Sequence, residues 1–114
     1  MLPKENRLTK KRDFEKVLKQ GKGFKQKTLF LKTIKNNLPL SRFGIIVSKK
    51  TAKKAVERNK IKRQIREIIR KNLNKIKKGY DLVLIAWPPL KEKGYQEKLF
   101  IIEESLQKIS FLGK

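Results

Sequence analysis

The twelve residues Ala55-Val-Glu-Arg-Asn-Lys-Ile-Lys-Arg-Gln-Ile-Arg66 read as one amphipathic helix with two incompatible faces. At about 100° per residue, Asn59, Lys62, Arg63, Arg66 and Arg70 fall within an arc of about 100°. Ile61, Ile65, Ile68 and Ile69 fall on a different side. One face can enter a core while the other presents four cations, with an amide among them, to a polyanion. A solvated lysine-rich face would carry similar charge. Here arginine and asparagine are mixed in: arginine suits forked phosphate contacts, and solubility does not need the amide.

The chain has 114 residues and a net charge of +22. That length makes a single domain over 1–114 the default and allows a modest core. The distribution of charge is lopsided. Met1 to Leu40 holds twelve Lys/Arg against three acids, and Lys49 to Lys78 holds fourteen against two. Gly79 to Lys114 holds five against five. The excess thus points to a binding face built from the first two thirds.

An anionic membrane would attract the same charge. However, the chain has no apolar run long enough to span a bilayer and no short apolar secretion signal. The basic helix also lacks the aromatic, strongly apolar face of an interfacial helix. With no cysteine there are no disulfides or thiolate metal sites, and a reducing cytoplasm is the expected location.

The remaining pattern alternates. Thr9 is the expected N-cap of a first helix carrying Phe14, Val17 and Leu18, with Gly21 at its stop. Thr28–Ile34 and Arg42–Ser48 are short β-rich runs separated by the turn-forming Asn36–Ser41, which predicts a hairpin. The basic helix should run from about Lys53 to Leu73, ended by Asn74 and Lys78-Gly79. Tyr80–Trp87 is nearly all apolar, as in a strand covered on both faces, and Pro88-Pro89 stops it. Leu99, Ile102, Leu106 and Ile109 form a last helical stripe. The order α-β-β-α-β-α implies a parallel pairing beside the hairpin and an α+β fold, a small sandwich of helices on a mixed sheet.

Histidine is absent along with cysteine, which removes the usual neutral-pH acid–base agent and any thiol nucleophile. A protein-only metal nuclease would need several carboxylates converging on two ions. Of the ten acids, five lie in the neutral last third. Glu57 and Glu67 flank the basic stripe, where intrahelical ion pairing accounts for them. Asp13 and Glu15 fit salt pairing or capping in the first helix, and Gly21-Lys-Gly23 is a stop and turn, not a nucleotide cradle. No catalytic or metal-ligating residue is expected in this chain.

The residues Ala55, Arg58, Asn59, Lys62, Arg63 and Arg66 match, without gap or substitution, the pattern Ala-x-x-Arg-Asn-x-x-Lys-Arg-x-x-Arg. It is the basic signature of the bacterial ribonuclease P protein subunit. Asn6-Arg-Leu8 and Asp13-Phe14 precede it as in that family, Arg42–Lys50 leads into it, and Tyr80–Ala86 is similar to the strand that follows. The resemblance runs from about Asn6 to Ile109. It implies a small protein bound to a large catalytic RNA that removes the 5′ leader of precursor tRNA. The RNA and substrate would hold the Mg²⁺ ions, with no further protein partner implied. It also implies an unusual left-handed helical crossover, which pattern reasoning would not supply because right-handed crossovers dominate.

Carried over residue by residue, the resemblance implies RNA contacts at Arg58, Asn59, Lys62, Arg63 and Arg66; Lys60 and Arg70, cations of the same helix, are further RNA-binding candidates. The helical wheel puts Arg58 nearer the isoleucines than the stripe's centre. The implied leader cleft takes in Phe14, Leu18 and Leu29, with Lys49 and Lys50 at its rim. Phe14 fits a core stripe with Val17 and Leu18 equally well. The family often has aromatics where Leu18 and Leu29 stand, which shifts the expected grip from stacking toward charge and apolar contact. Trp87 replaces a commonly basic residue, as a stacking surface or as strand-end packing. A structural RNA-binding protein would share the charge without needing a cleft, whereas a sequence-specific DNA binder would need a helix-turn-helix pair or a dimerising heptad.

Overall fold

Chain order begins with α1 (Lys11–Gln20), β1 (Lys22–Lys25), β2 (Leu29–Lys35) and β3 (Arg42–Val47). It continues with α2 (Ala55–Lys71), β4 (Tyr80–Ala86), the short α3 (Pro88–Lys91) and α4 (Tyr95–Lys108). These come from a computed structural model that describes residues 2–109 and 111. The expected α+β order holds, with β1 and α3 added. α1 is capped by Lys10 without a side-chain bond, not by Thr9. Gly21 does end it, donating its N–H to the Val17 carbonyl at 2.8 Å.

The four strands form one mixed sheet in the order β1-β2-β4-β3. β3 and β4 pair in parallel across α2, as expected. The hairpin between β2 and β3 does not form, because β4 lies between them and pairs antiparallel with β2. The hairpin partner of β2 is β1. Two physical reasons account for this correction. β4, apolar on both faces, takes an interior place where both neighbours satisfy its backbone. The turn-forming residues between β2 and β3 are spent on the chain entering β4. Asn36 Nδ2 donates to Asp81 Oδ1 at 2.9 Å, and the Asn36 N–H donates to the Gly79 carbonyl at 2.9 Å. Ser41 Oγ donates to the Lys77 carbonyl at 2.6 Å and accepts from the Tyr80 N–H at 3.1 Å. β1 escapes sequence reading because Lys22-Gly-Phe-Lys25 has no apolar run; it is an edge strand defended by exposed lysines.

The sheet separates two cores. On one face α2 and α4 bury Ile61, Ile65, Ile68, Ile69, Ile102 and Leu106 against Leu29, Leu31, Phe43, Ile45, Leu82 and Leu84. Each buried isoleucine contributes about 1.5–3 kcal/mol, so the apolar arc of α2 is what fixes its cationic arc outward. On the other face α1 covers a smaller cluster of Leu8, Val17 and Val83, with Phe14, Leu18, Ile34, Ile46 and Ile85 partly buried around it. Arg42 fastens α1 to the sheet. Its Nε and Nη2 donate to the two Asp81 oxygens at 2.9 and 2.7 Å, while Nη1 lies 3.5 Å from Asp13 of α1. The hydrogen bond to buried Asp81 raises the guanidinium's pKa above its ordinary value.

Candidate nucleic-acid interface

Of the expected stripe on α2, Asn59, Arg63 and Arg66 are exposed and line one shallow cavity of about 370 Å³. The same cavity is lined by Leu2, Arg7 and Glu67. Arg7 is a cation that helix periodicity could not place, since it lies in the segment before α1. Its Nε donates to the Leu2 carbonyl at 2.9 Å, closing that segment on itself beside the stripe. Lys62 is half-buried on the stripe's edge.

The other candidates on α2 divide. Arg58 turns inward: Nη1 donates to the carbonyls of Ala52 and Lys53 at 3.0 and 2.7 Å, tying down the loop that enters the helix. Arg70 is exposed but paired with Glu67, whose carboxylate accepts from its Nε at 3.1 Å. That bond lowers the Glu67 pKa and raises that of Arg70. Glu57 departs from the intrahelical pairing expected of it and meets Lys91 of α3 at 3.2 Å. Lys60 lies on the opposite flank of α2 from Arg66, beside α4.

A second surface lies on the α1 side of the sheet. Cross-strand register aligns Gly44, Val83, Lys32 and Gly23 in one row and Ile46, Ile85, Phe30 and Lys25 in the next. α1 lies over the first row, where Phe14 packs on Gly44 and Lys32 Nζ donates to the Leu18 carbonyl. The second row extends beyond the helix, and Ile46, Ile85 and Phe30 are only half-buried. The Trp87 ring stacks on Phe30 with centroids 6.0 Å apart and planes 30° apart. Lys25 and Lys32 place their ammonium groups 5.6 and 5.8 Å from the Phe30 centroid. At the far end Lys49 and Lys50 are exposed on the turn after β3, which Thr51 pins to the Ala86 carbonyl at 2.9 Å. The result is an apolar, aromatic strip walled by α1 and rimmed by lysines. Such a surface offers faces for bases and charge for phosphates.

Phe14 and Leu18 therefore wall this strip while also packing on the smaller core. Leu29 does not take part. It is 0% exposed and points into the main core, on the opposite side of the sheet. Its neighbour Phe30 lies on the α1 side of the sheet instead. Side chains alternate along a strand, so a one-residue shift moves a residue to the other face. Within Leu29-Phe30-Leu31 every residue is apolar, and alternation gave no sign of which faced α1. Among the described residues, no three of His, Cys, Asp or Glu gather where they could hold a metal ion.

The family model described as Ribonuclease P matches residues 2–110. This chain belongs to the ribonuclease P protein family. It is 44% identical over 95 residues to the ribonuclease P protein component of Clostridium botulinum strain 657, covering 82% of this chain and 85% of that one. It is 38% identical over 103 residues to the component from Thermotoga maritima, covering 90% and 87%. Among solved structures, the RNase P protein of Staphylococcus aureus superposes with a TM-score of 0.87 at 31% identity, covering 95% of this chain and 98% of that one. The Thermotoga maritima RNase P protein gives 0.75 at 37% identity, covering 90% and 93%. The ribonuclease P family's α+β fold is thus the fold of this chain.

Proposed function

We propose that this chain is the protein subunit of ribonuclease P, acting with a catalytic RNA to remove the 5′ leader of precursor tRNA. The open row of the sheet carries this reading. Phe30 and Trp87 present stacked rings beside Ile46 and Ile85, while Lys25, Lys49 and Lys50 stand within reach of a strand's phosphates. A single-stranded leader has the chemistry that fits: bases for the rings and a backbone for the lysines. Asn59, Arg63 and Arg66, with Arg7 beside them and Lys62 half-buried at the edge, form a separate cationic face suited to the folded catalytic RNA. Two RNA surfaces on one small domain distinguish this reading from a structural RNA-binding protein, which needs only one.

The chemistry of cleavage belongs to the RNA in this reading. Histidine and cysteine are absent from the sequence, and the ten acids form no described cluster that would hold the two ions of a protein metal nuclease. Mg²⁺ would be held by RNA and substrate. The protein's part is to position the leader and to neutralise phosphate repulsion between two RNAs. The proposed location is the cytoplasm; no described helix is long and apolar enough to cross a membrane.

The affinity ratio of precursor to mature tRNA tests the cleft in the reconstituted complex. The double substitution Phe30→Ala, Trp87→Ala should lower it toward one, because only the precursor has a leader to lose. An unchanged ratio in a folded variant would reject the cleft.

A further inference from the structure

α2 exposes a second polar flank that the arginine stripe does not reach. Lys60 and Gln64 lie about 60° and 100° around the helix from Arg63, on the side away from Asn59 and Arg66. There they meet Lys91, Lys93 and Lys98 around a cavity of about 340 Å³. Four lysines line it against one acid, Glu57, and that acid is engaged by Lys91 at 3.2 Å. Glu97, in the first turn of α4, lies 4.0 Å from Lys93.

Lys98 is the unusual member. It is only 4% exposed, and its ammonium donates to the neutral Gln64 Oε1 at 2.7 Å. No carboxylate among the described residues pairs with it. Burial, followed by repulsion from Lys60, pushes its pKa below the usual lysine range. A buried cation facing other cations is unfavourable unless an anion completes the site.

The end of α4 points the same way. Gly94, its N-cap, lines the cavity, and no side chain caps the 14-residue helix. The opening amides and the positive end of the helix dipole are therefore available to an anion. A Cβ at Gly94 would meet nothing within 4 Å, and φ is −72°, so neither packing nor backbone conformation demands glycine. What its bare backbone leaves is room at those amides.

We propose that this cavity between α2 and the start of α4 binds a phosphate group of the partner RNA, so that RNA grips α2 on two flanks. The assignment rests on the proposed function and adds a contact to it. Lys60, Lys93 and Lys98 supply charge, and the α4 amides supply directed donors.

The test compares Lys60→Gln, Lys93→Gln and Gly94→Asp with the wild-type chain and with Arg63→Ala, Arg66→Ala, all binding ribonuclease P RNA across a salt series. The lysine double variant should flatten the slope of log K against log salt by roughly one to two units and weaken binding about three- to thirty-fold. Gly94→Asp puts a carboxylate where the phosphate would sit. It should raise the unfolding midpoint, as a better helix cap, while weakening RNA binding. That opposite movement cannot come from misfolding. Wild-type slopes retained in both cavity variants, while the arginine variant loses affinity, would overturn the cavity and keep the proposed function. A wild-type protein that does not bind the RNA would overturn both. Inorganic phosphate forms a parallel arm: stabilisation of wild type at matched ionic strength, with an unchanged RNA slope in the lysine variant, would make this a small-anion site and overturn its assignment to RNA.

Discussion

The Phe14 ring packs so closely on Gly44 that a Cβ there would lie 2.4 Å from Cε1 and 2.5 Å from Cζ. The same Cβ would lie 3.3 Å from the Leu8 side chain. A ring is not a flexible chain end, so Gly44→Ala must push α1 away from the sheet. The expected cost is about 1–3 kcal/mol of stability. Because Phe14 also walls the open strip, the preference for precursor over mature tRNA should fall in the same variant. Unfolding curves and paired tRNA affinities check both. A stability loss with the preference intact would make Phe14 a core residue only.

Leu29 and Phe30 make a matched pair of neighbours on opposite faces. Leu29→Ala should cost about 2–5 kcal/mol of stability while leaving the precursor preference of the folded fraction unchanged. Phe30→Ala should do the reverse. The lost stacking, ~1–3 kcal/mol per base, corresponds to roughly a five- to 150-fold loss in precursor binding. Both variants are read by chemical denaturation and by binding. Interchanged effects would mean that the strand faces are assigned backwards.

Arg63 and Arg66 are exposed and opposite the isoleucines, so Arg63→Ala, Arg66→Ala should leave the unfolding transition in place. Its salt slope for binding the RNA should flatten by roughly one to two units. Loss of helix without a change in slope would contradict the placement of the stripe.

Arg70 is held by Glu67, and Glu67→Gln should release it. RNA affinity is expected to rise about two- to five-fold, with a slope steeper by about one unit. Acid should act the same way. Because the Arg70 bond lowers the Glu67 pKa in the fold, the pair's contribution is complete above the unfolded carboxyl value and is lost as pH falls through the lowered one. Binding isotherms for the variant and the pH series check this. An affinity that falls in Glu67→Gln would show that the pair positions Arg70 for RNA.

Much of this was legible in the sequence where one period dominated. The 3.6-residue alternation of isoleucine and cation fixed both faces of α2, and the unbroken apolar run of β4 marked an interior strand. The inward turn of Arg58 was foreshadowed by its place near the isoleucine arc. Legibility failed where two signals competed. Asn36–Ser41 looks like a hairpin turn, yet its polar groups bind the chain entering β4 some forty residues later. Leu29-Phe30-Leu31 offers no polar residue to set its phase, so the sequence points to Leu29 where the structure has Phe30 on the α1 side. Lys60 belongs to the signature segment by sequence but to the α4 flank by geometry, which appears only when α4 docks. Arg7 joins the stripe only because the chain before α1 folds back along the sheet.

Reconstitution tests the central claim most directly. Purified protein, a bacterial ribonuclease P RNA and a 5′-labelled precursor tRNA are combined at near-physiological Mg²⁺, with each component also assayed alone. Protein alone should release no leader, whereas protein and RNA together should cleave faster, and with tighter precursor binding, than RNA alone. Cleavage by RNA-free protein would contradict the assignment of the chemistry to RNA. No gain in rate or affinity on adding the protein would contradict its role as the leader-positioning subunit.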